Sequence, residues 1–107
     1  MNNLTSDTLD LIQDLLPALD ELIALMEYYD SPTYKIVVKH IADSLAKRGL
    51  VAFDDRLQPF DMDKHEVHST FPTAGIDEPI VRYTHLRGYA VQGRILRKSV
   101  VDLNVPE

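Results

Sequence analysis

Apolar residues recur three and four positions apart from Leu9 to Met26. Leu9, Ile12, Leu16, Leu19, Ile23 and Met26 form an a/d seam of about two and a half heptads. A second stripe, Leu11, Leu15, Ala18, Leu22 and Leu25, runs beside it at the same spacing, and acids with Gln13 fill the remaining face. The pattern predicts one helix over residues 7–29. Ser6 is its expected N-cap, with Asp7 and Asp10 at the positive end of the helix dipole. Pro17 lacks a backbone donor and predicts a bend or a break near residues 13–17. Ser31-Pro32 then predicts a second helix, Ser31 capping it and Pro32 taking its first position. Tyr34, Val37, Val38, Ile41 and Leu45 line one face. Lys47 and Arg48 fall in the last turn, and Gly49 falls at the left-handed C-cap position. Two helices joined by a short loop at Tyr29–Ser31 make an antiparallel hairpin.

The hairpin cannot bury itself. Its first helix has two apolar stripes and its second can cover one. Each large side chain left in water forgoes roughly 1.5–3 kcal/mol. An exposed stripe of this length marks an interface. Two hairpins packed face to face form a four-helix bundle that buries both stripes. Fold-back of the C-terminal half over one stripe is the alternative. We take the dimer as the expectation and assign the a/d seam, Leu9 to Met26, to it.

From residue 50 the period changes to two. Leu50–Phe53, residues 66–71 and residues 80–86 are strand candidates, the last two separated by a turn-rich stretch with Pro72, Gly75 and Pro79. Tyr89, Val91 and Ile95 alternate with Ala90, Gln92 and Arg94, and Val101, Leu103 and Val105 alternate with Asp102 and Asn104. Gln92-Gly93 between two alternating runs is a hairpin-turn signal, and Gly88 marks another tight turn. The expected fold is α+β: a helical hairpin over residues 1–49 that forms a dimeric four-helix bundle, then a small all-β domain of short strands over 50–107.

Composition narrows the function classes. The chain has 107 residues, 45% of them apolar, with no cysteine and no tryptophan. That excludes a disulfide framework, thiolate metal ligands and a thiol nucleophile. No apolar run approaches the roughly 20 residues that span a bilayer. Residues 1–34 contain no lysine or arginine, so neither a signal peptide nor an arginine-rich transit peptide is expected, and the expected location is the cytoplasm. A net charge of -6 argues against nucleic acid as partner. The charge is uneven. Residues 1–34 carry seven acids and no base, whereas residues 79–101 carry Arg82, Arg87, Arg94, Arg97 and Lys98 and no acid. The basic segment suits either a solvated face or docking on an acidic protein partner.

Candidate chemistry is sparse. Asp61, Asp63, His65, Glu66 and His68 are the only local gathering of metal-type ligands. His65 and His68 are three apart, not the four of the helical zinc pattern, and on a strand they point to opposite faces. We therefore read Asp61 and His65 as structural, bonded to nearby backbone, and expect no metal. No nucleophile elbow, P-loop or dinucleotide fingerprint is present. Gly88-Tyr89 to Gly93-Arg94 lies among strands with no following helix, which does not suit a phosphate cradle. From the residues alone the chain reads as a dimeric helical module carrying a small basic sheet that binds another protein. No catalytic residue and no cofactor are expected.

Three segments in order resemble the GrpE family, the nucleotide exchange factors of DnaK-type heat-shock chaperones. Leu15-Leu16-Pro17-Ala18-Leu19-Asp20-x-Leu22 is similar to that family's LLPxxDxL stretch. Ala46-Lys47-Arg48-Gly49-Leu50-Val51, followed by Pro59-Phe60-Asp61-x-x-x-His65-Glu66, is similar to its K-x-G-V turn and P-F-D-P-x-x-H-E-A-V element. Arg87-Gly88-Tyr89-x-Val91-x-Gly93-Arg94-x-Leu96-Arg97 is similar to K-G-Y-x-L-x-G-R-x-L-R. Met62 stands where the family has proline, Val67-His68 replaces Ala-Val, and the chain resembles a short form without the long N-terminal stalk.

The resemblance implies homodimers, a four-helix bundle and a compact β-domain. It also implies a mechanism. The β-domain wedges against the chaperone's nucleotide-binding domain, holds the cleft open and speeds ADP release, with no bond made or broken. Carried over by position, it places Arg94 on the chaperone-facing surface, with Arg97, Gly93 and Gly88 beside it and His85 and Leu103 at contacting positions. Gly49 matches the glycine that ends the bundle helix.

Overall fold

The computed structural model describes residues 4–107, so the first three residues of the expected helical half lie outside the described range. The order is α1 (Ser6–Tyr29), α2 (Pro32–Ala46), β1 (Leu50–Phe53), β2 (His65–Thr73), β3 (Ile80–Leu86), β4 (Gly88–Val91), β5 (Arg94–Arg97) and β6 (Ser99–Pro106). The α+β architecture matches the sequence expectation, with two helices followed by six strands. The chain divides into two compact units between Val51 and Ala52.

In the helical unit, α1 is capped by Thr5, not Ser6. The Thr5 hydroxyl accepts from the Thr8 N–H at 3.1 Å, so Ser6 becomes the first helical residue. The helix also runs through Pro17 without a break. Pro17 is exposed, where backbone left without its donor can reach water, while Leu16 and Leu19 on either side stay buried and hold the two halves in line. Asp30, at φ 49°, turns the chain out of α1, its N–H donating to the Met26 carbonyl at 3.1 Å. Lys35 Nζ reaches the Asp30 carboxylate at 2.6 Å across the connection. α2 starts on Pro32 as expected and ends at Ala46, with Lys47 rather than Gly49 as its C-cap. Two tight bonds, Arg48 N–H to Leu45 O at 3.0 Å and Gly49 N–H to Ala46 O at 2.9 Å, close the helix early. Gly49, at φ 82°, redirects the chain two residues after the cap.

The two stripes of α1 differ in their burial within the single chain. Leu16, Leu19 and Ile23 of the a/d seam are buried, and Leu9, Ile12 and Met26 are half-buried. Leu16 and Leu19 share an apolar groove with Ile41 and Leu45 of α2. Part of the seam assigned to the dimer is thus buried within the single chain, and Leu15, Ala18 and Leu22 of the second stripe line the same groove. Leu11 and Leu15 of the second stripe remain 59% and 57% exposed. Identical three-four spacing cannot say which stripe meets α2.

The β unit contains two three-stranded sheets, ordered β1-β4-β5 and β2-β6-β3. β6 is central in the second, parallel to β2 and antiparallel to β3. Its inward residues Val101 and Leu103 pack with Val81 into a core that Phe60 and Val105 partly cover. β4 and β5 join through Gln92 and Gly93, at φ 50° and 78°, the positive pair that a primed two-residue hairpin turn needs. Gly88 is not a turn glycine. A Cβ built on it would clash with the edge of the Phe53 ring, so its bareness serves the close approach of an aromatic.

Asp54 follows β1 and ties that connection to β3. It accepts from Thr84 Oγ1 at 2.7 Å and from Arg56 Nη2 at 2.8 Å. Partial burial pushes its carboxyl up, and the hydrogen bonds from Arg56 and Thr84 outweigh that and hold it below the ordinary carboxylate value. A lowered folded value means the stabilisation is present above the unfolded carboxylate pKa and is lost as pH falls through the folded one. We expect the melting temperature of the parent to exceed that of Asp54→Asn at neutral pH. The gap should close below roughly pH 4. Equal melting temperatures across that range would show that the carboxylate contributes nothing.

Candidate functional site

The basic surface centres on the β4–β5 hairpin. Arg94 opens β5 on the exposed side of the turn, opposite Val91 in the register. Arg97 is different. Its Nη2 donates to the Arg87 carbonyl at 2.7 Å, and its guanidinium lies 5.1 Å from the centre of the buried Tyr89 ring. Arg97 therefore braces the hairpin, and Arg94 is the arginine of the pair held in solvent. Gly93 is exposed at the turn tip, whereas Gly88 is buried under Phe53. Leu103, expected at a contacting position, is 3% exposed and belongs to the core, so its side chain offers a partner no surface. Arg82 lies on β3, in the other sheet. It stacks on Phe71 at 4.5 Å and donates to Asn104 Oδ1 at 3.1 Å.

Asp61 and His65 are tied to each other and to nearby backbone. His65 is 3% exposed. Its Nδ1 accepts from the Asp61 N–H at 3.0 Å, which fixes the proton of a neutral ring on Nε2, and Nε2 faces Asp55 Oδ2 at 2.7 Å. The Asp61 carbonyl accepts from the His65 N–H at 2.8 Å, and its Oδ1 accepts from the Asp63 N–H at 2.9 Å. Both ring nitrogens of His65 are in use.

His68 leaves this loop altogether. Its ring lies 4.4 Å from that of His85, centre to centre, over Asp102. His68 Nδ1 is 3.2 Å from Asp102 Oδ1 and His85 Nε2 is 2.9 Å from Asp102 Oδ2. Partial burial raises the Asp102 carboxyl, and the hydrogen bonds from His85 and His68 outweigh it and hold the group below its ordinary value. Tyr83 meets the His85 ring edge-on at 4.9 Å. Sequence reasoning grouped His68 with His65 because they are neighbours. It missed Asp102, which looks like any outward residue of an alternating strand.

Comparison with known proteins places this geometry in a lineage. The model of the GrpE family matches residues 4–105. The chain is 36% identical over 101 residues to Protein GrpE of Stenotrophomonas maltophilia (strain K279a), covering 85% of this chain and 57% of that protein. It is 28% identical over 97 residues to Protein GrpE of Chromohalobacter salexigens, covering 84% and 46%, and 27% identical over 100 residues to Protein GrpE of Bifidobacterium longum, covering 92% and 46%. The chain spans about half the length of these curated relatives. No helix among the described residues is long and apolar enough to cross a membrane.

Proposed function

Because the chain belongs to the GrpE family, we propose that it is a GrpE-type co-chaperone that promotes ADP release from a DnaK-type chaperone. The observation that carries this reading is a family match running through both the helical hairpin and the β unit. In this reading the exposed face of the β4–β5 hairpin meets the chaperone's nucleotide-binding domain, with Arg94 at the contact. The exchange factor makes and breaks no bond. It binds the open nucleotide cleft better than the closed one, and the difference in the two affinities is the whole of its leverage on the nucleotide. Two copies associate through the exposed stripe of α1, with Leu11 and Leu15 at the contact.

The test is release of a labelled ADP analogue from a purified DnaK-type chaperone with and without this protein. Faster release supports the reading. Binding without acceleration would make the chain an adaptor, and neither binding nor acceleration at saturating protein would reject both. Within it, Arg94→Ala should cost about 2 kcal/mol of chaperone affinity, roughly a thirtyfold rise in Kd. Self-association and melting temperature should stay unchanged. An unaltered titration curve would remove Arg94 from the contact.

A further inference from the structure

We propose that His68, His85 and Asp102 form a binding site for a divalent transition-metal ion, with Zn²⁺ as the fitting ion. One donor atom from each lies within 4.8 Å of the others. Two ligands on one tetrahedral Zn²⁺, each about 2.0–2.1 Å from the ion, are themselves roughly 3.3 Å apart. The present separations of 3.2 Å from His68 Nδ1 and 2.9 Å from His85 Nε2 to the Asp102 oxygens are close to that. Two imidazoles and a carboxylate are a donor set for Zn²⁺ and its neighbours in the first transition row, and a poor one for Ca²⁺ or Mg²⁺.

The fold aims these side chains in an unusual way. β6 carries Asp102 at the centre of its sheet. On one side the register of β2 slips between Val67 and Ser69, and the residue passed over is His68. On the other side the register of β3 slips between Thr84 and Leu86, and the residue passed over is His85. Both histidines are thus bulge residues, one on each flanking strand, and both turn toward one carboxylate. Bulges re-aim side chains at functional sites. Two that converge on a single residue place the donors on a rigid sheet before any ion arrives, which lowers the ordering entropy of binding. The rings remain accessible, with 59% of the His68 side chain and 35% of the His85 side chain in solvent, while Asp102 is 12% exposed. With each neutral ring carrying its proton on the nitrogen away from Asp102, the ion takes the place of the two hydrogen bonds between the rings and the carboxylate, and water completes its shell. Ser69 Oγ, 3.0 Å from His68 Nδ1, is the group that competes for that nitrogen.

The experiment is a calorimetric titration of the full chain, free of any histidine tag, with ZnCl₂ in a buffer that does not chelate. Co²⁺ absorption in the visible range serves as a second readout. One ion per chain is expected, with a tetrahedral Co²⁺ spectrum. His68→Gln and His85→Gln should each weaken binding on the order of 10–100-fold, since loss of even an outer-shell partner costs that much. Asp102→Asn should do the same, and circular dichroism must show each variant folded. His40→Gln serves as a control and should change nothing. No saturable binding by the parent, or affinity equal to the parent's in folded His68→Gln and His85→Gln, would overturn the proposal.

Discussion

Leu103→Ala is expected to lower the stability of the β unit by about 2–5 kcal/mol. The side chain is 3% exposed and packs on Val81 and Val101, both fully buried, with only Phe60 and Val105 at the rim. A sheet of three strands has little core to spare, and a unit this small sits low in the usual range of about 5–15 kcal/mol. Neighbours pinned by strand pairing cannot collapse into the vacancy, so the cavity cost adds to the lost burial. Urea unfolding of the full chain, followed through the amide signals of β6, gives the measurement. A loss under about 1 kcal/mol would place Leu103 outside the core. The variant also separates two explanations of lost chaperone binding. Leu103→Ala should act through the fraction folded, so adding a stabilising osmolyte restores binding. Arg94→Ala should act on the folded protein, and the osmolyte should not help.

Leu15→Asp is the second large expectation. Leu15 is 57% exposed in the single chain, so the change should leave the hairpin's own stability nearly untouched. In a symmetric dimer it acts twice. Each copy loses roughly 1.5–3 kcal/mol of burial, which together raises the dissociation constant on the order of 10²- to 10⁴-fold. The parent should sediment as a dimer at micromolar concentration and the variant as a monomer. A variant that still sediments with the parent would exclude the Leu11–Leu15 stripe from the interface. A monomeric parent would exclude the dimer.

Local signals carried most of the element boundaries. Leu50–Phe53 and residues 80–86, each bounded by turn residues, are strands over the expected spans. Gln92-Gly93 supplies the two positive φ angles its position called for. Ser31-Pro32 starts α2 as read. Each of these depends on residues within a few positions of one another.

Apart from the two helix caps, which were missed by one or two residues, the misreadings share one cause, which is information held elsewhere in the chain. Pro17 looked like a break because the donor it lacks is local, while the burial that keeps α1 continuous is not. Gly88 looked like a turn because nothing nearby announces that Phe53, 35 residues earlier, lies against it. The burial of Leu16, Leu19 and Ile23 within the single chain could not be read because both stripes obey the same period. The His68–Asp102 contact spans 34 positions and depends on a bulge, and a bulge leaves no mark on a period-two pattern. The candidate site was legible where it depends on the hairpin turn and Arg94, and illegible where three strands meet.

The place of β6 also governs when the β unit can form. It follows β2 and β3 in sequence and is the middle strand of their sheet, and both pair with it. A nascent chain therefore carries β2 and β3 out of the ribosome with no ladder to join, and the sheet closes only after Pro106 has emerged. Until then both strands are open edges, the kind that pair with other chains. A chain interrupted before Ser99 would lack the strand on which the other two are built.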